Sequence, residues 1–154
     1  MTKKRLLMTI GLPRSGKSTW CKKQRYPIVN PDSIRRALHG QAFIKEAESI
    51  VWSIALYMVR ALFLAGHNKV ILDATNLDYF RRKEWFREDC SLEYYLFNTK
   101  AEICKERAIA NNQSELIEVI DRMAKETLDF ELDSDYFTPK YTTICDENGK
   151  YIEK

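Results

Sequence analysis

The sequence predicts an α/β protein built on a parallel sheet flanked by helices. Three observations carry this expectation. Strand-like and helix-like segments alternate along most of the chain, the pattern of βα units. The first strand-like segment, residues 5–10 (RLLMTI), is almost wholly apolar, as in a strand buried on both faces. A glycine-bearing turn at residues 11–16 leads directly from it into a short helical stretch.

The elements follow in order. After the strand at 5–10, a helix is predicted over 17–24 and a brief second strand over 27–29, stopped at Pro31. Residues 32–38 suit a helix that ends at His39-Gly40. Val51, Ile54, Ala55, Met58, Val59 and Leu62 recur at helical spacing within a long helix over 45–65. The most apolar stretch, residues 50–66, is slightly short for a membrane span and carries Arg60, so a buried amphipathic helix and no membrane association are expected. A third strand is predicted at 69–72, a helix at 77–89 and a strand at 92–97. Helices over 100–111 and 114–130 come next, and residues 141–153 read as a hairpin turning at Asn148-Gly149.

Length and composition narrow the class. A chain of 154 residues fits a single domain, 1–154, with a sizeable core. With 45% apolar and 31% charged residues it is neither disordered nor fibrous. Cys21, Cys90, Cys104 and Cys145 form no C-x-x-C pair, and His39 and His67 complete no zinc pattern. The apolar run after Lys3-Lys4-Arg5 is too short for a secretory signal, and a reducing, cytoplasmic setting is expected. Charge is unevenly spread: +8 over residues 1–25, zero over 26–125 and −5 over 126–154. A basic start suggests a polyanionic ligand near the N-terminal segment.

Residues 11–18, GLPRSGKS, match G-x-x-x-x-G-K-[ST] between a predicted strand and a predicted helix, the context that the motif requires. Gly11 and Gly16 permit the backbone to turn successive amides of Arg14, Ser15 and their neighbours toward a phosphate. Lys17 reaches the β- and γ-phosphates, Ser18 offers a hydroxyl to Mg²⁺, and Thr19 lies near the α-phosphate. The ligands implied are ATP and Mg²⁺. No N-K-x-D base-reading motif of a GTPase is present, which favours a small kinase with a separate acceptor.

Such a kinase needs a proton acceptor and cations on the acceptor's side. Ligands in these sheets sit beyond the C-terminal strand ends, which is where N-P-D-S-I-R, residues 30–35, follows the second strand. Asp32 would face the γ-phosphate, with Arg35 one helical turn further on the same face. The alternative for Asp32 is an ordinary helix N-cap. The third strand ends in D-A-T-N-L, residues 73–77, placing Asp73 as a Walker-B-like carboxylate for Mg²⁺ and Thr75 and Asn76 at the same edge. Arg81, Arg82 and Lys83 with Trp85 and Phe86 read either as a basic-aromatic surface for nucleic acid or as a solvated face with Trp85 packed inward.

Taken together, G-L-P-R-S-G-K-S-T-W, N-P-D-S-I-R and D-A-T-N-L with Arg81-Arg82 and Trp85 resemble the P-loop kinases, in particular the 5′-polynucleotide kinase branch that includes the kinase domain of phage polynucleotide kinase. The resemblance covers about residues 5–125 and implies a P-loop NTPase-like fold with a short helical lid over about 105–116. It implies that Asp32 is the general base for a 5′-hydroxyl and that Arg35 holds the acceptor's neighbouring phosphate. Arg82, Thr75 and Asn76 would contact the acceptor, and Arg107 in the lid would contact the nucleotide. That branch usually carries a second basic lid residue one turn after the position of Arg107. Asn111 stands there, and Arg107, Arg14 and Arg122 are left open as substitutes.

The function expected is ATP-dependent phosphoryl transfer to the 5′-hydroxyl end of DNA or RNA. The alternatives are a small-molecule kinase acting on a nucleoside, nucleotide or sugar, and a non-catalytic nucleotide-binding protein. The sequence leaves the oligomeric state open.

Overall fold

A computed structural model of the chain describes residues 3–40, 43–126, 128, 130, 132, 133 and 138–152. Among the described residues, five parallel strands form one sheet: β1 (Lys4–Ile10), β2 (Ile28–Val29), β3 (Lys69–Leu72), β4 (Cys90–Phe97) and β5 (Lys140–Cys145). Their order across the sheet is β2-β3-β1-β4-β5. β1 sits in the middle, flanked by β3 through Arg5–Lys69 to Met8–Leu72 and by β4 through Lys4–Cys90 to Ile10–Leu96. The apolar RLLMTI segment is therefore buried from both sides, as its composition requires.

Among the described residues, six helices connect and cover the strands: α1 (Lys17–Lys23), α2 (Pro31–His39), α3 (Glu48–Leu64), α4 (Tyr79–Lys83), α5 (Ala101–Ala110) and α6 (Leu116–Ala124). A short 3-10 turn, Lys45–Ala47, leads into α3. One core layer joins Leu6, Met8 and Ile10 with Val51, Ala55 and Val59 of α3. The opposite layer sets Trp20 and Cys21 of α1 on Leu7, Ile71 and Phe97. A third cluster, Cys104, Ala108 and Ile120, joins α5 to α6 and includes Leu12 of the glycine-bearing turn.

Four expectations are corrected. The helix expected over 77–89 is only Tyr79–Lys83, capped by the Asp78 carboxylate, which accepts from the Phe80 N–H at 3.0 Å. The helix expected over 114–130 spans Leu116–Ala124. The tail expected as a hairpin does turn at Asn148-Gly149, with the Asp146 N–H donating to the Lys150 carbonyl and the Ile152 N–H to that of Ile144. Its first half, however, is β5, which pairs in parallel with β4. Alternating polarity reports an edge strand but not its partner. Glu153, at the end of the expected hairpin, lies outside the described residues, as do positions 127 and 129 of the expected last helix.

The fourth correction concerns α3. Val51, Ala55 and Val59 are buried as expected, but Met58 is 40% exposed. The stretch Lys45–Leu64 is long and apolar enough to cross a membrane by length and composition alone. Here its inner face packs on the central strands, and its outer face stays apolar.

Candidate active site

The C-terminal ends of β1, β2 and β3 converge on the turn between β1 and α1. Gly11 is confined there: a Cβ would lie 2.7 Å from Ser15 Oγ and 2.9 Å from Phe97, so no other residue fits without displacement. Gly16, at φ 106, supplies the left-handed step that opens α1. Arg14 is also left-handed, at φ 67. The Gly11 N–H donates to the Thr75 carbonyl at 3.1 Å, which ties the turn to the end of β3.

Lys17 is buried, and its ammonium donates to the carbonyls of Gly11 (3.1 Å) and Leu12 (2.6 Å) and to Ser15 Oγ (3.4 Å). Burial pulls its pKa down to about 8, against the opposing pull of Asp73, Cys104 and Asp32. A lysine folded back on its own loop with no acid at bonding distance is a cation waiting for an anion. Ser18 Oγ donates to Asp73 Oδ2 at 2.8 Å, so the serine and carboxylate expected to share Mg²⁺ are already together. Both are hard oxygen donors, and few protein ligands beside bound phosphates is the usual Mg²⁺ arrangement. The residues thus fit that ion. Thr19 is exposed at the start of α1.

Asn30, which sequence reasoning passed over, decides the role left to Asp32. The Asn30 Oδ1 accepts the Asp32 and Ser33 N–H groups at 2.8 and 3.3 Å, making it the N-cap of α2. Its Nδ2 reaches Asp73 Oδ2 at 3.3 Å. Asp32 is therefore not spent on capping. Its carboxylate, 64% exposed, accepts from Arg35 at 2.6 Å, one helical turn on, and lies close enough to Lys17 to favour the charged amine.

Arg35 has a second partner that the sequence did not announce. Glu48, at the start of α3, takes its Nε and Nη2 in a two-bond fork at 2.9 and 2.6 Å. That bond raises the Arg35 pKa and lowers that of Glu48, which the Trp52 indole also holds low. A thirteen-residue separation across a helix boundary gives no periodic signal, so only the α2–α3 packing reveals this pair.

Arg82 is a correction. Expected at the acceptor surface, it is 1% exposed. Its Nε and Nη2 donate to Asp133 at 3.0 and 3.1 Å, and its Nη1 to the carbonyls of Asn76 (3.2 Å) and Leu77 (2.8 Å). It supports the D-A-T-N-L loop from behind. Asn76, expected to contact the acceptor, is buried at φ 47 with its amide donating to the Thr9 carbonyl at 2.8 Å. Thr75, half-buried, stands at the same edge. Trp85 packs inward, while Arg81 lies over Trp52, 4.3 Å from its ring, and bonds Glu84. The expected basic-aromatic surface thus loses Arg82 and Trp85 to the interior.

Arg107, on α5, donates to the Arg14 carbonyl at 3.1 Å and comes within 4.0 Å of where a Gly16 side chain would start. It therefore reaches the glycine-bearing turn from α5. Asn111 closes α5 by donating to the Arg107 carbonyl at 2.7 Å and brings no charge. Thr99, also missed in the sequence, donates to the Ser15 carbonyl at 3.0 Å and holds the turn from the β4 side. Beside Ser18 and Asp73 opens a groove of about 660 Å³, walled by Ile28, Ile34, Leu38, Ile54 and Met58, with Arg36 and Lys22 at its rim.

This arrangement has counterparts in known proteins. The family model described as an AAA domain matches residues 6–129. Among solved structures, a chain in a Pnkp1/Rnl/Hen1 complex is 25% identical, with a TM-score of 0.63, over 70% of this chain; the match spans 40% of that longer chain. A Chloroflexus aurantiacus protein described as a candidate kinase is 18% identical, with a TM-score of 0.59, over 96% of this chain and 87% of its own. A parallel sheet whose central strand runs into GLPRSGKS, with Ser18 bonded to Asp73 of the adjacent strand, has the P-loop NTPase-like kinase fold, and the chain belongs to the AAA domain family.

Proposed function

We propose that this protein transfers the γ-phosphoryl group of ATP, with Mg²⁺, to the 5′-hydroxyl end of a nucleic acid. The observation that carries this reading is the Asp32–Arg35 pair: a carboxylate freed from capping, oriented by an arginine and set in the field of Lys17. When bound, MgATP supplies the electrophilic phosphorus and its leaving group. Asp32 accepts the proton of the acceptor hydroxyl at a carboxylate oxygen as the new O–P bond forms and the bond to the bridging oxygen breaks. Arg35 fixes that carboxylate and presents the acceptor side with a cation. Lys17 turns from the loop carbonyls to the phosphates, and Arg107 approaches from above the turn. Similarity to a chain of the Pnkp1/Rnl/Hen1 complex supports the polynucleotide acceptor.

A second reading, a kinase of a small acceptor on the same scaffold, is favoured by two observations. Burial of Arg82 removes one cation from the acceptor side, and the groove beside Ser18 has largely apolar walls. Labelled ATP offered with a 5′-hydroxyl oligonucleotide, and separately with nucleosides and sugars, distinguishes the two. Label on the oligonucleotide, abolished by Asp32→Asn, is the expected result. Label only on a nucleoside or sugar overturns the polynucleotide reading, and unchanged transfer by Asp32→Asn overturns the assigned base.

A further inference from the structure

The outer face of α3 is apolar and exposed. Ile50, Tyr57 and Leu64 are 58%, 68% and 85% exposed and recur every seven residues, so they stand on one stripe. Between them on the same stripe lie two small exposed residues, Ser53 and Ala61. The Ser53 hydroxyl already donates to the Ser49 carbonyl at 2.9 Å, so it brings no unmet polar demand to a contact. Between Ser49 and Asn68 the only Lys, Arg, Asp or Glu is Arg60. The stripe cannot turn inward, because Val51, Ala55 and Val59 hold the opposite face in the core.

We propose that this stripe is the interface of a two-fold homodimer. Its residue sizes read large, small, large, small, large: Ile50, Ser53, Tyr57, Ala61, Leu64. That order is a palindrome about Tyr57. In an antiparallel pairing of two copies, Ile50 of one meets Leu64 of the other, Ser53 meets Ala61, and the two Tyr57 rings meet on the axis. An isologous contact requires this self-complementarity. The small positions let the helices approach while the large ones interdigitate. A nearly uncharged face also avoids the like-charge repulsion that a two-fold imposes on any surface ion.

The area agrees. With Leu38 and Met58 beside it, 49% and 40% exposed, the stripe offers largely apolar surface of the same order as the ~800 Å² per partner of a standard interface. Ile54 and Met58 also wall the groove beside Ser18, so the dimer would border the acceptor side of each site.

The test is the solution mass of the full chain, by light scattering after size exclusion and by sedimentation velocity over a wide concentration range. The expected result is twice the 18.1 kDa chain mass, with association weakened at least tenfold, toward monomer, by Tyr57→Glu or Leu64→Glu. Circular dichroism verifies that these exposed-site variants stay folded. As a second measurement, Tyr57→Cys should oxidise to a covalent dimer while the parent chain does not. A monomer at every concentration overturns the proposal. So does a dimer that both glutamate variants leave intact, because its interface then lies elsewhere. Monomers that sediment with phosphatidylcholine–phosphatidylglycerol vesicles, and lose that binding in Leu64→Glu, overturn it in favour of a lipid surface.

Discussion

Arg82 and Asp133 form an ion pair in which both side chains are 1% exposed, joining α4 to a segment just before β5. The Tyr94 hydroxyl donates to the same carboxylate at 2.5 Å, and the Phe130 ring lies 5.0 Å from the guanidinium. Because Arg82 also holds the Asn76 and Leu77 carbonyls, the pair fixes the edge where Thr75 meets the phosphate-binding turn. Removing one member leaves a buried charge without its counterion, which destabilises a fold by about 3–5 kcal/mol. Asp133→Asn and Arg82→Met should each lower unfolding free energy by about that amount in urea titrations. A loss under ~1 kcal/mol would mean that water reaches the pair.

Glu48 should behave differently, since it acts through Arg35. Glu48→Gln keeps the shape but removes the charge that holds the guanidinium. Phosphoryl transfer should fall about tenfold, the size expected for weakening one charge-assisted contact. The loss should appear at the acceptor, with nucleotide affinity unchanged in calorimetry. Equal losses of nucleotide and acceptor binding would place Glu48 in general folding instead.

Lys17 carries a pH prediction. Its pKa in the free protein is about 8, so above that pH the amine is largely neutral, and a bound polyphosphate restores its charge. Nucleotide binding at pH 8.5 should therefore take up a fraction of a proton and weaken as pH rises; near pH 6.5 uptake by this group should vanish. Calorimetry in buffers of different ionisation enthalpy reads this directly. Stability has the opposite slope. The unfolded chain keeps this proton up to about 10.5, so the lysine contributes increasing stability from pH 8 to 10.5.

Gly11→Ala tests the tightness of the turn. The new Cβ would press on Ser15 Oγ and on Phe97, including its carbonyl oxygen. Overpacking of this kind destabilises by about 1–3 kcal/mol. Nucleotide binding should be lost in the folded variant, because Ser15 is also an acceptor for Lys17. Wild-type affinity would show that the turn can shift without consequence.

Much of this was legible in the chain. Burial on both faces marks β1, and the spacing GLPRSGKS marks the turn after it, because both signals are local. The strand end at Asp73 was legible for the same reason, and its bond to Ser18 follows once β1 and β3 lie side by side. What was not legible depends on residues far apart in sequence. Arg82 looks like one of three surface cations until Asp133, fifty-one residues on, neutralises it in the interior. For Asp32, expected as the base with a helix cap as the alternative, only the fold shows that Asn30 takes the capping role, and Arg35 looks unrestrained until α3 delivers Glu48. The apolar outer face of α3 is likewise settled only by the fold, since composition reports how apolar a helix is but not which side is covered. Local pattern determined the elements and the phosphate-binding turn. Tertiary packing decided which charges are neutralised, because ion pairing depends on distance in space and not along the chain.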